Sequence, residues 1–430
     1  MNNPMLHSDE IRTRFSRAMS AMYRTEVPAY GTLLDLVADT NQVVLDHDTA
    51  LKARLAASDN LDRISEERHG AIRLGTATEL HMIARVFGVM GMQGVAYYDL
   101  TQANVPVHST AFRAVDAENL ARSPFRVFTS LLRTDLITDP NLRKQSEDIL
   151  NARDIFTPRL RELVEQAEMQ GGLNEADAQD FITQATYTFK WHEQAAVDKD
   201  FYEALKDADP RAADIVCFKG PHINHLTPRT LDIDTIHAQM PERGMNAKNV
   251  IEGPPPSHNI LLRQTSFKAL TEKVTFGTQD GLHTARFGEI EQRGAALTPK
   301  GRELYDALLN KVRATITPTP DGSNAAEYMD VLTDIFKAFP NAPEDMRAEA
   351  LAYFQAYKTD TGETAYTPIV YEDFLPVSAA GIFASNASDK TRQDEFTSSS
   401  QADFETALGT KVQSEFALYE EMQNKSLERL

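Results

Sequence analysis

The sequence predicts an α+β protein in which two strand-rich regions are separated and flanked by helices. Three observations lead to this prediction. Polar and apolar residues alternate in two clusters, residues 69–132 and 214–292. Between these clusters, residues 139–206 carry apolar side chains at helical spacing, and both ends of the chain do the same. The two strand clusters are therefore candidates for the two halves of one open barrel.

Length, composition and charge exclude several classes of protein. The chain has 430 residues, and its 42% hydrophobic content rules out general disorder. A net charge of −19 at pH 7 argues against nucleic acid or an anionic membrane surface as the main partner. No uninterrupted apolar window is long enough to predict a transmembrane span. The one cysteine, Cys217, excludes an internal disulfide framework and favours the cytoplasm, and its apolar neighbours predict a buried structural thiol.

The first part of the chain predicts helices and then a first set of strands. Residues 8–58 read as helices, because Ser8 can cap a helix and Ile11, Phe15 and Met19 recur at helical spacing. After the first strand, Thr76 is a predicted helix cap. The predicted strands of this region are 69–75, 95–100, 109–115 and 125–132.

The second part of the chain returns to strand patterns and ends in helices. The predicted strands are 214–218, 222–227, 260–267, 274–276 and 284–292. Helices are predicted for 298–313, 324–357 and 404–430, and residues 367–374 are expected to be extended. We therefore predict one catalytic unit with N-terminal helices (1–66), a first sheet half (67–135), a helical insertion (139–206), a second sheet half (210–295), and C-terminal helices with a covering turn at 376–381 (296–430).

The predicted strand at 69–75 offers the first candidate site residues. His69 and Arg73 fall on one strand face, so a possible metal ligand and a permanent cation share that face. Their Cα atoms should lie roughly 13 Å apart, which leaves room for a short diacid between them. Stretches around His225 and Glu291 are candidates to complete this site.

Two histidines and one carboxylate on three strands would form a metal site with open coordination positions. That ligand set suits Fe(II), and the open positions are where substrate and dioxygen bind. His225 is preferred to His222, which falls on the opposite strand face. Glu289 and Glu291 share a face, so that one could bind the metal while the other pairs with Arg286 or Arg293. The alternative is that all these groups form surface salt bridges, because the spacing alone is not a signature.

Six segments of the chain carry a resemblance to a known family. They are ERHGAIR (67–73), YYDL (97–100), HINHLTPR (222–229), LRQTSFK (262–268), ARFGEIEQRG (285–294) and YEDFLPVSAAG (371–381). The chain resembles the 2-oxoadipate dioxygenase/decarboxylase family, also called D-2-hydroxyglutarate synthases. The resemblance covers nearly the whole chain, and it implies a central mixed, mostly antiparallel half-barrel sheet of the vicinal-oxygen-chelate type, surrounded by helices.

The resemblance also implies a reaction and a set of site residues. The reaction converts 2-oxoadipate and dioxygen into D-2-hydroxyglutarate and carbon dioxide, in lysine breakdown, with Fe(II) as cofactor. His69, His225 and a glutamate of the 289/291 pair would bind the metal and, through it, the substrate, and the spacing from His225 favours Glu291. Arg73 would be the essential arginine, and the backbone of Val377 would contact the substrate.

Two other function classes are weighed against this one. A redox-silent lyase or isomerase of the same superfamily would use its metal only as a Lewis acid, so oxygen consumption separates it from the dioxygenase. A protein that only senses a dicarboxylate needs arginine clamps but not the complete two-histidine, one-carboxylate set. We also predict that the turn at 376–381 packs over the substrate, because its small residues let backbone come close.

Overall fold

The structure is a computed structural model, and it describes residues 4–58, 61, 64, 67–101, 105–375 and 400–430. Within these residues, no helix combines the length and the apolar character that crossing a membrane requires.

A curled, mixed sheet forms the centre of the molecule. Within the described residues it has seven strands: β1 (Glu67–Leu74), β2 (Gln93–Asp99), β3 (Val107–Arg113), β4 (Arg126–Leu132), β5 (His225–Pro228), β6 (Leu262–Ser266) and β9 (Phe287–Arg293). Their order across the sheet is β2-β3-β4-β1-β5-β9-β6. Two hairpins stand outside this sheet, formed by β7 (Thr271–Phe276) with β8 (Gln279–Thr284) and by β10 (Phe354–Lys358) with β11 (Thr364–Pro368).

The pairing pattern divides the sheet into two halves. β1 pairs in parallel with β4, and β5 pairs in parallel with β9, whereas all other neighbours in the sheet are antiparallel. The antiparallel pair of β1 and β5 joins the two halves at the middle of the sheet. The predicted mixed, mostly antiparallel half-barrel is therefore confirmed.

Helices cover the sheet and fill the insertion between its halves. Their bounds are α1 (Ser8–Glu26), α2 (Pro28–His47), α3 (Thr49–Ser58), α4 (Ala77–Val89), α5 (Ala117–Arg122), α6 (Pro140–Ala152), α7 (Pro158–Gln170), α8 (Glu175–Thr188), α9 (Lys199–Ala208), α10 (Pro210–Val216), α11 (Ile233–Gln239), α12 (Pro299–Thr315), α13 (Ala325–Phe336), α14 (Pro343–Ala348), α15 (Gln401–Leu408) and α16 (Glu415–Glu428). The crossover helix α4 begins at a complete capping box, in which Thr76 and Glu79 each bond to the other's backbone N–H.

Helix α1 is fastened to the middle of the sheet. Its apolar face, including Ile11, Phe15 and Met19, is buried in the main core, as the helical spacing predicts. The hydroxyl of Tyr23 lies 2.8 Å from the carbonyl oxygens of both Asn224 and Phe287. A single hydroxyl therefore ties α1 to the starts of β5 and β9, two strands that build the site described below.

Three local predictions are wrong. Residues 214–218 were expected to be a strand, but α10 runs through Val216, because Asp209 caps its N-terminus and Pro210 occupies the first turn. The strand predicted to start at 222 begins only at His225. The helix predicted over 324–357 is interrupted, and its last residues form β10; Pro340 and Pro343 account for the interruption. Cys217 is buried, as predicted.

Candidate functional site

Three fully buried side chains meet on three neighbouring strands. They are His69 on β1, His225 on β5 and Glu289 on β9, and their ligand atoms all lie within 4.8 Å of one another. Glu289 Oε1 is 3.1 Å from His69 Nε2 and 3.8 Å from His225 Nε2. This group has the composition and spacing of a protein metal site with two imidazoles and one carboxylate.

The strand register explains why these residues converge. In the antiparallel pair, His69 lies opposite Thr227, and His225 lies opposite Ala71. The two histidines are therefore offset by two residues, which places both on the same face of the sheet. β5 runs parallel to β9 with His225 beside Phe287, so Glu289 is again two residues further along, on that face.

His225 is suited to bind a cation as a neutral ligand. Burial lowers the pKa of its imidazole well below the ordinary value, and the neighbouring His69 and Arg73 lower it further. Neither ring nitrogen has a hydrogen-bond partner among the residues that the structure describes. A buried polar ring without a partner is costly in the metal-free protein, and a bound metal ion would remove that cost.

Glu289 is held in place by neutral neighbours. Thr227 Oγ1 donates to Glu289 Oε1 at 3.3 Å, and Gln264 Nε2 donates to Oε2 at the same distance. These bonds orient the carboxylate toward the two imidazoles without neutralising its charge. The negative charge therefore remains available to a metal ion.

Glu291 lies in a different environment, although it shares the strand face with Glu289. Arg293 contacts it through two nitrogens at 2.7 and 2.8 Å, and Arg126 Nη2 donates to it at 2.9 Å. Burial raises the pKa of Glu291, but the charges of Arg293 and Arg126 outweigh burial and hold that pKa well below its usual range. The preference for Glu291 as the metal ligand gains no support from this geometry, which brings Glu289 into the cluster instead.

The carboxylate of Glu291 lies beside the imidazole of His69, at the ring nitrogen opposite the one that faces Glu289. Its Oε2 lies 2.8 Å from His69 Nδ1, while His69 Nε2 faces Glu289. Among the described residues, His69 Nδ1 has no partner with hydrogen-bond angles, so Glu291 is a charged neighbour of that nitrogen, and Nε2 is the nitrogen on the side of the cluster. The sequence named Arg293 as a possible partner of one glutamate, but face and spacing could not say which one, and the second arginine at Glu291, Arg126, comes from β4 in the first half.

An aromatic and ionic segment closes the site beside His69. The ring of Phe374 packs edge-on against the His69 ring, with centroids 4.8 Å apart. Its two preceding residues are anchored by arginines of the first sheet half. Arg126 Nη1 donates to Glu372 at 2.7 Å, and Arg113 binds Asp373 through two bonds of 2.7 and 3.0 Å. Val377 and the turn at 376–381, predicted to contact substrate, lie outside the described residues.

Arg73 is buried on the strand that carries His69, and it is paired. Its Nη1 donates to Asp214 Oδ2 at 2.5 Å. Asp214 also lies 3.2 Å from His222 Nε2 and 2.8 Å from His283 Nε2. The sequence did not indicate Asp214 as a site residue, because the segment was predicted to be a strand. His222 was separated from the predicted metal ligands, but Asp214 was not identified as its partner.

The family models and known relatives agree with one another. Residues 15–386 match the model of a family described as 2-oxoadipate dioxygenase/decarboxylase. A protein of that name from Pseudomonas putida is 51% identical, over 99% of this chain and 97% of its own length. Another from Escherichia coli is 51% identical, over 98% of both chains.

Two solved structures are similar to this chain, one in both sequence and fold and the other in fold alone. The hydroxyglutarate synthase of Pseudomonas putida, in complex with 2-oxoadipate, is 50% identical with a TM-score of 0.92, covering 99% of this chain and 98% of that one. A protein described as a glyoxalase-superfamily member, from Ralstonia eutropha, is 18% identical with a TM-score of 0.50, covering 68% of this chain and 87% of that one. The second likeness concerns the fold alone, and it agrees with the predicted vicinal-oxygen-chelate architecture.

Proposed function

Because this chain belongs to the 2-oxoadipate dioxygenase/decarboxylase family, we propose that it converts 2-oxoadipate and dioxygen into D-2-hydroxyglutarate and carbon dioxide. The six-carbon diacid loses one carbon as carbon dioxide, and the five-carbon product carries a new hydroxyl group. Both atoms of dioxygen are then accounted for between the two products. The step would serve lysine breakdown in the cytoplasm. The observation that carries the proposal is the buried cluster of His69, His225 and Glu289.

We propose Fe(II) as the metal that this cluster binds. His69, His225 and Glu289 would hold it, since two neutral imidazoles and one carboxylate form a ligand set typical of Fe(II) and leave coordination positions open. When bound, iron supplies a Lewis-acidic and redox-active centre for a 2-oxo acid and dioxygen. Glu291, held by two arginines, would place a negative charge beside the His69 ring, on the side away from the metal.

Arg73 is the residue proposed to read the distal carboxylate of the substrate. It lies on the strand of His69 and is buried, and its charge, after burial and the neighbouring His69, also lowers the pKa of His225. A diacid with one end at the metal and the other at Arg73 would be held at both ends, which fixes the carbons between them. A guanidinium is suited to this task because its planar fork matches a carboxylate.

The aromatic residues beside His69 are proposed to keep water out of the site. Phe374 packs on His69, and Phe128 packs on Phe374 with ring centroids 5.0 Å apart. Excluding water strengthens the interaction of Arg73 with a carboxylate, and it protects reactive species from side reactions. The backbone of Val377 is proposed as a further substrate contact.

The test is oxygen uptake by the iron-loaded enzyme. The full chain is loaded anaerobically with Fe(II), then mixed with oxygenated buffer and one of a panel of 2-oxo diacids. We expect one dioxygen consumed for each 2-oxoadipate converted, with 2-hydroxyglutarate as the product. Protein loaded with Zn(II) and protein without metal are the controls, and both should be inactive.

Two results would contradict the proposal. Turnover of the 2-oxo diacid without oxygen consumption would favour the redox-silent lyase or isomerase. Binding of the diacid without any turnover, in protein shown to contain iron, would favour a dicarboxylate sensor.

A further inference from the structure

We infer that Asp214 is a positioning residue for the reaction, which fixes the Arg73 guanidinium in one orientation toward the substrate. This inference rests on the proposed role of Arg73. It concerns a group of buried side chains, outside the metal cluster, that we call the Asp214 cluster. Its members are Arg73, Asp214, His222, Asn224 and His283.

The contacts of Asp214 are those of an anchored carboxylate. One oxygen, Oδ2, accepts from Arg73 Nη1 at 2.5 Å. The other, Oδ1, lies 2.8 Å from His283 Nε2 and 3.2 Å from His222 Nε2. Because both oxygens have partners on separate elements, the carboxylate cannot rotate without losing a bond, and its grip on Arg73 is fixed in direction.

Further hydrogen bonds connect Asp214 to the hairpin that β7 and β8 form. His283 belongs to β8, and its Nδ1 lies 2.9 Å from the hydroxyl of Tyr202 on α9. A carboxylate can only accept, so the proton of a neutral His283 belongs on Nε2, and the Tyr202 hydroxyl then donates to Nδ1. Asp214 therefore sets the His283 tautomer, and the Tyr202 hydroxyl, which also lies 3.3 Å from the carbonyl oxygen of Leu282, is compatible with it.

Apolar packing keeps the Asp214 cluster dry. The indole of Trp191 lies edge-on to His222 at 4.7 Å and stacks on His283 at 6.1 Å between ring centroids. Bonds to a charged group are stronger and more directional in such surroundings than in water. Neither the metal ligands nor the proposed iron chemistry requires a buried carboxylate at this position, so its function is best sought in what it holds, which is Arg73.

Anchoring predicts a specific kinetic signature. In Asp214→Asn, Arg73 keeps its charge, so it still attracts the distal carboxylate of 2-oxoadipate. The charge-assisted bond that directs the guanidinium is weakened, so the bound substrate is misaligned. Misplacement of a substrate by about 1 Å costs on the order of 100-fold in rate. We therefore expect kcat to fall by about 100-fold, while KM and the amount of bound iron stay close to their wild-type values.

The experiment compares steady-state kinetics of iron-loaded full-length variants, together with iron content and anaerobic binding of 2-oxoadipate. Tyr202→Phe removes only the hydroxyl at the far end of the chain, and it should lower kcat in the same direction by less than Asp214→Asn. Tyr305→Phe, at another fully buried tyrosine in α12, is the matched control and should leave kcat unchanged. If Asp214→Asn does not fold, Tyr202→Phe against Tyr305→Phe decides the question.

Two outcomes overturn the inference. One is a kcat in Asp214→Asn, or in Tyr202→Phe if only that variant folds, that equals the wild-type value. The other is a large rise in KM with unchanged kcat, which would assign Asp214 to binding rather than positioning. Arg73→Ala separates this from the proposed function: if it keeps the wild-type preference for 2-oxoadipate over 2-oxohexanoate, the proposed role of Arg73 itself is wrong. If Arg73→Ala loses that preference while Asp214→Asn is normal, only the inference fails.

Discussion

In both halves of the sheet, the first strand is followed by a helix and pairs in parallel with the last strand. β1 leads to α4 and pairs with β4, and β5 leads to α11 and pairs with β9. Both first strands carry a histidine of the metal cluster. His69 lies beside Arg126 on β4, and His225 lies beside Phe287 on β9, so the two halves can be compared position by position.

The halves differ two residues further along the last strand. In the second half this position is Glu289, which joins the metal cluster; in the first half it is Phe128, which packs against Phe374 and Tyr98. The next position on the same face is Glu291 in the second half and Ser130 in the first half. One half therefore supplies a histidine and an apolar wall, and the other supplies a histidine and a carboxylate. This asymmetry gives the cluster three candidate ligands among the described residues, because the first half has an apolar ring where the second half has a carboxylate.

The largest effects are expected when Glu289 and Phe128, which occupy equivalent positions in the two halves, are each replaced by alanine. Glu289→Ala should weaken iron binding by more than about 100-fold, beyond the usual cost of losing a residue behind a ligand, and should abolish turnover. Phe128→Ala should keep its iron but lose about 3–5 kcal/mol of stability, because it leaves a cavity in the core. Metal analysis and thermal unfolding measure both effects. Full iron content in Glu289→Ala would show that the third ligand is elsewhere, with Glu291→Ala as the next variant to assay.

A second test uses the next pair along the same strands. Glu291→Gln keeps the shape of the side chain but removes the charge that faces His69 and two arginines. We expect about 10- to 100-fold weaker iron binding. Ser130→Ala removes only a bond of 2.9 Å from the hydroxyl of Ser109, so it should cost about 1 kcal/mol of stability and leave iron binding unchanged. Equal iron affinity in the two variants, measured by anaerobic titration, would remove Glu291 from the site.

The smallest expected effect concerns the crossover helices, where the halves should behave alike. Thr76 caps α4, and Asp232 caps α11 by accepting from the backbone N–H of Thr235. Thr76→Ala and Asp232→Ala should each cost about 1 kcal/mol of unfolding free energy, with unchanged iron content and kcat. A loss of iron in either variant, seen in the folded protein, would mean that the caps position ligands as well as helices.

The sequence predicted the outline of this fold because its strand and helix patterns are local. His69 and Arg73 were correctly placed on one strand, since a period of two determines which residues share a face. Periodicity also predicted the α+β class, whereas the half-barrel architecture and the enzyme family were predicted from the resemblance of whole segments. Residues 214–218 were misassigned because a short apolar run fits a buried helix as well as a strand.

What the sequence did not supply were the long-range partners. Glu291 differs from Glu289 through Arg293, which is close in the sequence, and through Arg126, which lies 165 residues from Glu291. The pairing of Arg73 with Asp214 joins residues 141 positions apart. No periodic pattern encodes such contacts, because they follow from how the two halves and the insertion pack together.

The wide separation of the cluster residues along the chain also bears on the stage of folding at which a metal ion could bind. His69 and Glu289 are 220 residues apart, and β9 must join the sheet before their side chains meet. During synthesis, the first ligand therefore emerges long before the last, and the nascent chain has no complete site. Because iron would then bind only the assembled sheet, its binding energy would favour the finished enzyme over every partly folded form. Metal uptake would then follow the assembly of the sheet rather than start it.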